Sequence, residues 1–382
     1  MPPARERPPS RPPGGPSRSW GGPANDLRAL PTVLWWGRFD PNYSRNRILR
    51  KLLVELGWQV TDFHPGFSAL GNWEARLRSL PRPDLVWVPC FRQRDLVAAH
   101  RWARCQGVPL VFDPLISTYD KQVDERGKLD PTHRRARRLL TWEQGLFRLA
   151  DLVLADTPAH ADYFAQTLGV SRERLAVVYV GAEATLFIPA PLPEAVVDTP
   201  LEVLFYGSFI PLQGPGVVVE AARLYQGPPV RWTLLGDGPL RPACEAAARD
   251  LANVAFEDWL PYVRVPARVH RAHILLGVFG TTPKAGRVIP NKVYQALACG
   301  RPVVTRRAPA YPKALLVGTT GLVWTEAGDA QDLADKVAAL ARAPDQLPPL
   351  GDAAAVTSQR YFSEMAIRKQ LHAALKTLLP SP

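Results

Sequence analysis

The chain has 382 residues, 46% of them hydrophobic, with 47 Lys and Arg against 35 Asp and Glu, a formal charge of +12. That length exceeds one ordinary core and suits two α/β domains, and a mean hydropathy of −0.12 fits a globular protein rather than a disordered or membrane-embedded one. No apolar run of about 18 residues occurs, so no spanning helix is expected, and the N-terminus lacks the apolar core of a secretory signal.

Residues 1–30 are Pro, Gly, Arg and Ser with almost no apolar content, too little to offset the entropy of ordering them, and read as a disordered tail. TVLWWGRF then forms a buried strand ending at Gly37. From Tyr43 to Gly57, the residues Ile48, Leu49, Leu52, Leu53 and Leu56 share one helical face, which Gly57 closes. Strand-like runs follow at QVTDF, DLVWVPC, PLVFDPL, DLVLADT and AVVYVG, separated by helical patterns over 73–80, 93–106, 130–149 and 158–168. Such alternation predicts a parallel, doubly wound sheet over residues 31–181.

Residues 182–200 carry four prolines and few charges and read as an interdomain linker. A second alternation starts at LEVLFYGSF and runs through VRWTLLGDG, VAFEDWL, HILLGVFG, RPVVTRR and GLVWTE, giving a second doubly wound domain over 201–355. Its helices are expected at 214–225, 239–251, 263–271, 291–299 and 329–343. One last helix, over 356–378 of the closing segment 356–382, is placed to pack back across the first domain. The fold class is therefore α/β with two Rossmann-like domains, and ligands are expected at the carboxyl ends of the strands, where the two sheets face each other across a cleft.

The stretch KAGRVIPNKVYQALACGRPVVT, from Lys284 to Thr305, predicts a loop, a short helix and a strand. Asn291 suits a helix cap and Gly300 a stop. The helix start, with Lys284, Arg287 and Lys292 close by, outlines a diphosphate site, and Gln295 sits one turn in, where its amide suits sugar hydroxyls. The competing reading is a surface helix with solvated lysines. In YGSFIPLQG, Gly207 and Gly214 allow close backbone approach, with Ser208, Phe209 and Gln213 between them. Gly236 and Gly238 make a similar turn, for which strand–helix packing is the plain alternative. In the first domain Gly37, Arg38, Asp113 and Tyr119 follow strands. Asp113 reads either as a carboxylate that orients an acceptor hydroxyl or as a loop cap before Pro114.

Together these segments resemble retaining glycosyltransferase family 4, of the GT-B type. QALACGRPVV matches the second half of its Glu-x7-Glu donor signature, and YGSFIPLQG, LLGDGPL and VAFEDWLP match its glycine-rich loop and next two strands in order. The resemblance spans about 32–378 and is strongest over 203–305. It implies transfer of a hexosyl unit from a nucleotide diphosphate sugar to a hydroxyl on a glycan, a lipid-linked acceptor or a small metabolite, with retention. Arg287 and Gln295 stand where the family has its two glutamates, and Ser208 and Gln213 where it often has Arg and Lys. The expectation is that Arg287 takes over the grip on the phosphate and a role in catalysis, while Gln295 keeps the ribose. The loss of both glutamates equally admits a nucleotide-sugar-binding protein without turnover, and the shared architecture admits a sugar-nucleotide epimerase.

No Asp-x-Asp occurs, so no metal and no other cofactor are expected, with the leaving diphosphate stabilised by cations and a helix dipole. Cys90, Cys105, Cys244 and Cys299 have no metal-like or framework spacing and are expected as reduced thiols, which places the chain in the cytoplasm. The basic run RRARRLL at 134–140, followed by Trp142, Leu146 and Phe147, raises peripheral contact with the anionic inner face of a membrane. The alternative is a solvated helix whose apolar side lies in the core. Arginine is spread along the chain without a nucleic-acid motif, so no nucleic-acid partner is expected.

Overall fold

The computed structural model describes residues 30–194 and 199–378. The tail expected over 1–30 lies outside these except for Leu30, as do positions 195–198 of the linker and the last four residues. Strand β1 (Thr32–Trp36) shows why the first sheet forms. Val33 and Trp35 enter one core while Leu34 and Trp36 enter the other, the two-residue alternation of a strand covered on both faces.

The first lobe contains β1, α1 (Ser44–Glu55), β2 (Gln59–Phe63), α2 (Gly71–Leu77), β3 (Leu85–Val88), α3 (Leu96–Gln106) and β4 (Leu110–Phe112). A short α4 (Thr118–Asp120) continues into a π-helical turn at Lys121–Glu125, which the sequence did not signal. Then come α5 (Arg134–Phe147), β5 (Leu152–Ala155), α6 (Pro158–Gln166) and β6 (Leu175–Val177). All pairs are parallel, in the order β2-β1-β3-β4-β5-β6. Residues of α2, α3, α5 and α6 share the core on one face, with Trp36, Phe63, Trp102, Phe147 and Phe164. The other face is covered by α1.

The second lobe repeats the plan with β7 (Leu201–Tyr206), α7 (Pro215–Leu224), β8 (Val230–Leu235), α8 (Arg241–Ala247), β9 (Val254–Glu257), α9 (Val265–His270), β10 (Ile274–Leu276), α10 (Asn291–Ala298), β11 (Val303–Arg306), β12 (Leu322–Thr325) and α11 (Ala330–Arg342). Its parallel order is β12-β11-β10-β7-β8-β9. The Pro-rich connection is pinned by Arg301, a fully buried guanidinium that donates to Ala190 O at 2.7 Å, Pro191 O at 2.9 Å and His270 O at 2.9 Å.

The single helix expected over 356–378 is broken. Helix α12 (Leu347–Thr357) runs into a π-helical turn (Ser358–Phe362) and stops at Ser363, whose backbone is extended. The Ser363 hydroxyl accepts from Ala366 N at 3.2 Å and starts α13 (Glu364–Lys376) afresh, as a capping serine does. Helix α13 lies on the first lobe, with Arg368 donating to Glu55 at 3.2 Å, Lys51 paired with Glu364, and Tyr179 N donating to Gln370 at 3.1 Å. Phe362 stands edge-on to Tyr179 of one lobe and Tyr294 of the other, at 5.2 and 4.9 Å.

Candidate functional site in the interlobe cleft

The carboxyl ends of the two sheets enclose a cavity of about 770 Å³. From the first lobe it receives the loop after β1 (Asp40, Tyr43), the α1 residue Arg47, the segment after β4 (Ile116, Lys121) and Asp156 after β5. From the second it receives Gly207, Ser208 and Gln213 after β7, with Asn291, Lys292 and Gln295 of α10.

Tyr206 ends β7, and the chain turns at Gly207, whose φ of +140° favours glycine. A Cβ there would stand 3.8 Å from Gln213 Oε1 and 3.9 Å from Lys292 Nζ. Both of those atoms are buried without a hydrogen-bond partner, so the open side of Gly207 is a cradle with an unpaired ammonium at its wall. Lys292 Nζ also lies 3.6 Å from the centre of the Phe205 ring. Burial pushes its pKa well below that of an ordinary lysine, because among the described residues no hydrogen-bond partner offsets the loss of water. The first turn of α10 opens onto the same space. Pro290, in extended conformation, holds the cap position and no side chain caps the helix. Asn291 is therefore the first helical residue rather than the cap that the sequence suggested.

Gln295 also lines the cleft, but much of its amide is used. Its Oε1 accepts from Tyr206 OH at 2.9 Å, and its Nε2 donates to Tyr262 OH at 3.3 Å. Tyr262 OH donates in turn to Glu183 at 3.0 Å, which also accepts from Arg47 at 2.6 Å. One N–H and one lone pair of the amide remain for a ligand.

Arg287 is not where the sequence reading put it. Its guanidinium turns into the first lobe, pairs with Asp120 and Asp124, lies 4.3 Å above the Tyr163 ring, and is not among the side chains that line the cavity. Its carbonyl accepts from Thr157 Oγ1. Lys284 reaches the cleft but is held in a buried pair with Glu125. The physical reason is charge balance: Asp120, Asp124 and Glu125 are drawn inward by α4 and its π turn and need cations.

Several other expected residues also lie off the cavity. Asp113 is fully buried, and both its oxygens accept from Arg45 Nε at 2.9 Å. It is the counter-charge of a buried arginine rather than a cleft carboxylate. Phe209 belongs to the second-lobe core, 5.8 Å from Phe205. Gly214 closes the turn into α7, where a Cβ would come within 2.6 Å of Gly280 N. Gly236 and Gly238 let the β8 turn pass beneath the β7 loop, since Cβ atoms there would stand 2.1 Å from Gly207 O and 2.7 Å from Phe209 N. Gly37 packs by Arg92 and Asp95, Arg38 is exposed, and Tyr119 packs with Val123 and Ala136.

Two carboxylates line the cleft after first-lobe strands, the exposed Asp40 after β1 and the buried Asp156 after β5. Asp156 contacts His160 Nδ1, and His160 Nε2 lies 3.5 Å from Asp120. Burial opposes a charged imidazole, but Asp156 and Asp120 outweigh it and raise the His160 pKa to about 9. For Asp120, burial would raise the pKa, yet His160 and Arg287 hold it below the usual carboxylate value. Burial dominates at Asp124 and raises its pKa. Asp156 carried one readable signal, its place at the carboxyl end of DLVLADT. Arg47 and Tyr262 carried none.

Two facing doubly wound sheets with a ligand-sized cleft between their carboxyl edges define the GT-B class. Residues 200–343 match the family described as glycosyl transferases group 1, and residues 2–181 the glycosyl transferase 4-like domain. The chain has GT-B architecture, and each of its lobes is similar to one of these two kinds of glycosyltransferase domain. It is 30% identical over 244 residues to the putative colanic acid biosynthesis glycosyltransferase WcaL of Escherichia coli, covering 62% of this chain and 59% of that protein. It is 28% identical over 322 residues to the D-inositol 3-phosphate glycosyltransferase of an Arthrobacter species, covering 74% of each. The crystal structure of Anabaena HepE in complex with UDP superposes with a TM-score of 0.67 at 18% identity, over 91% of this chain and all of that one.

Proposed function

We propose that this protein transfers a hexosyl unit from a nucleotide diphosphate sugar to a hydroxyl group and keeps the anomeric configuration. The observation that carries the reading is the buried, unpartnered Lys292 beside Gly207 at the start of α10. An ammonium, a glycine cradle and a helix start converge on one point, which suits a diphosphate. The donor diphosphate lies over Gly207, with Ser208, Asn291 and Gln295 completing its pocket. The acceptor enters from the first-lobe side, where the free edge of Asp156 orients its hydroxyl. The acceptor oxygen bonds to the anomeric carbon as the bond to the phosphate breaks, and its proton passes to the leaving phosphate oxygen. Lys292 and α10 stabilise the charge that develops there, so the reading needs no metal or other cofactor.

The names of the relatives suggest glycan and inositol phosphate acceptors, and lipid-linked acceptors at an anionic membrane face belong to the same reading. The UDP bound in Anabaena HepE makes uridine nucleotides the first donors to test. Arg287 supports a second reading: with no acidic side chain at its position, the site suits a nucleotide-sugar-binding protein without turnover. A thermal-shift screen of nucleoside diphosphates and their sugars, followed by chromatography of donor and products, separates the readings. Failure of every nucleotide to raise the melting temperature overturns both. Binding without donor consumption selects the second, and an interconverted donor without acceptor reveals an epimerase.

A further inference from the structure

Away from the cleft, helix α2 presents a surface that the transfer reaction leaves unexplained. It packs inward through Gly71 and Ala75. Ala75 is fully buried, and a Cβ on Gly71 would stand 3.0 Å from the Trp36 ring. The other side of the segment is apolar and bare: Phe67 is 74% exposed, Leu70 56%, Trp73 58% and Leu77 86%. Leu70, Trp73 and Leu77 follow i, i+3, i+7 spacing, so they project from one side of the helix.

This strip is bordered by cations. Arg76 lies 5.5 Å above the Trp73 ring and reaches Cys105 of the neighbouring α3 at 2.9 Å. The outer side of α3 and the turn before it show Arg94, Val97, Arg101 and Arg104 to solvent, again at helical spacing. Glu74, the acid of α2, is already occupied by Arg78 at 2.6 Å and Gly66 N at 2.8 Å. Helix α5 lies on the same sheet face, and His100 of α3 touches Leu149, just beyond the end of α5, at 2.9 Å. There Arg134, Arg135, Arg137 and Arg138 are exposed while Leu146 and Phe147 are in the core. Helix α5 therefore adds charge to this face, and α2 supplies the apolar anchors.

We propose that this face of the first lobe docks on an anionic lipid bilayer. Phe67, Leu70, Trp73 and Leu77 enter the interface, and the arginines of α3 and α5 meet the headgroup phosphates. Aromatic and aliphatic anchors beside a one-signed charge strip are what an anionic interface binds. A protein partner would have to supply a matching acidic rim. Phe67 and Leu70 follow β2 on the carboxyl side of the sheet, the edge that also carries the cleft, so docking brings the acceptor side of the cleft to the membrane. The docking deepens the lipid-linked acceptor reading, but vesicle binding is measured without turnover and fails or succeeds separately.

The test is sedimentation of the full chain with phosphatidylcholine vesicles, with and without phosphatidylglycerol. The expected result is binding to the anionic vesicles that weakens with salt. The Trp73→Ser/Leu77→Ser double variant should lose roughly tenfold or more in partitioning, with an unchanged circular dichroism spectrum and melting temperature. Because it keeps every arginine, including the five before residue 30, it isolates the apolar anchors. Arg101→Gln/Arg104→Gln should weaken binding mainly at low salt. The proposal is overturned if the chain does not sediment, or if the double variant binds like the wild type. It is also overturned if the exposed strip instead drives lipid-independent self-association that the double variant abolishes.

Discussion

Replacing Lys292 with Met should move two properties in opposite directions. The Met side chain is similar in length and can remain over Phe205, so the change removes the buried amine with little change of volume. Among the described residues Lys292 Nζ has no hydrogen-bond partner, and a buried polar group left unpaired costs about 1–3 kcal/mol. The variant should therefore be more stable by that order. A bound diphosphate would supply the missing partner, and a hydrogen bond to a charged group contributes about 1.5–3 kcal/mol, a loss of roughly 10- to 150-fold in affinity when it is removed. Urea unfolding and titration calorimetry with a nucleoside diphosphate measure the two effects.

Protons give an independent check. Burial lowers the Lys292 pKa in the free protein, and an anionic ligand raises it again. Diphosphate binding should take up protons at a pH above the free-state value, and affinity should fall as pH rises through it. Titrations in two buffers of different ionisation enthalpy read this uptake directly. A Met variant that binds diphosphate as tightly as the wild type, with the same proton count, refutes the assignment of Lys292 to the donor site.

Arg287→Ala should destabilise the fold by about 3 kcal/mol, because it strands Asp120 and Asp124 against each other, while diphosphate affinity stays unchanged; urea unfolding and calorimetry check both, and a lost affinity with intact stability would return Arg287 to the donor. The raised His160 pKa, from 6.5 to about 9, contributes stability that is fully present below pH 6.5 and is lost as pH rises through about 9. That contribution is about 3 kcal/mol, and thermal melts of wild type and His160→Gln against pH should converge over this window; parallel curves would contradict it. Asp156→Asn should keep nucleotide binding but lower kcat by roughly 10²-fold, measured as sugar transfer at saturating donor, and unchanged turnover would remove Asp156 from the acceptor side.

The sequence shows its strands and the glycine that follows β7 because these are local matters of alternation and turn chemistry. The loop after β7 and the start of α10 were legible for the same reason. What pairs across the fold was not. Asp113 looked free because Arg45 lies 68 residues away, and nothing in RNRILRKL marks one arginine as fully buried. Arg287 looked available because Asp120 and Asp124 lie more than 160 residues upstream, on α4 and a π turn without a sequence signature. Helix α5 drew the membrane reading because its charges are contiguous in sequence. The anchors of α2 stand out only when exposure is measured.

The substitution at position 287 has a structural logic. In the resembled family an acidic side chain there would face the sugar; here a cation crosses to the other lobe. With Lys284–Glu125 and the Thr157 bond to the Arg287 carbonyl, it makes three polar ties between the segment before α10 and the first lobe. Pulling the lobes apart would leave Asp120, Asp124 and Glu125 short of their cations in a low-dielectric interior, which costs several kcal/mol for each broken pair. The ties thus fix the separation between the Lys292 wall, proposed to take the leaving group, and the Asp156 wall, proposed to take the acceptor. Transfer between two bound substrates depends steeply on that separation. A residue lost from sugar recognition is gained in holding the two halves of the site in register.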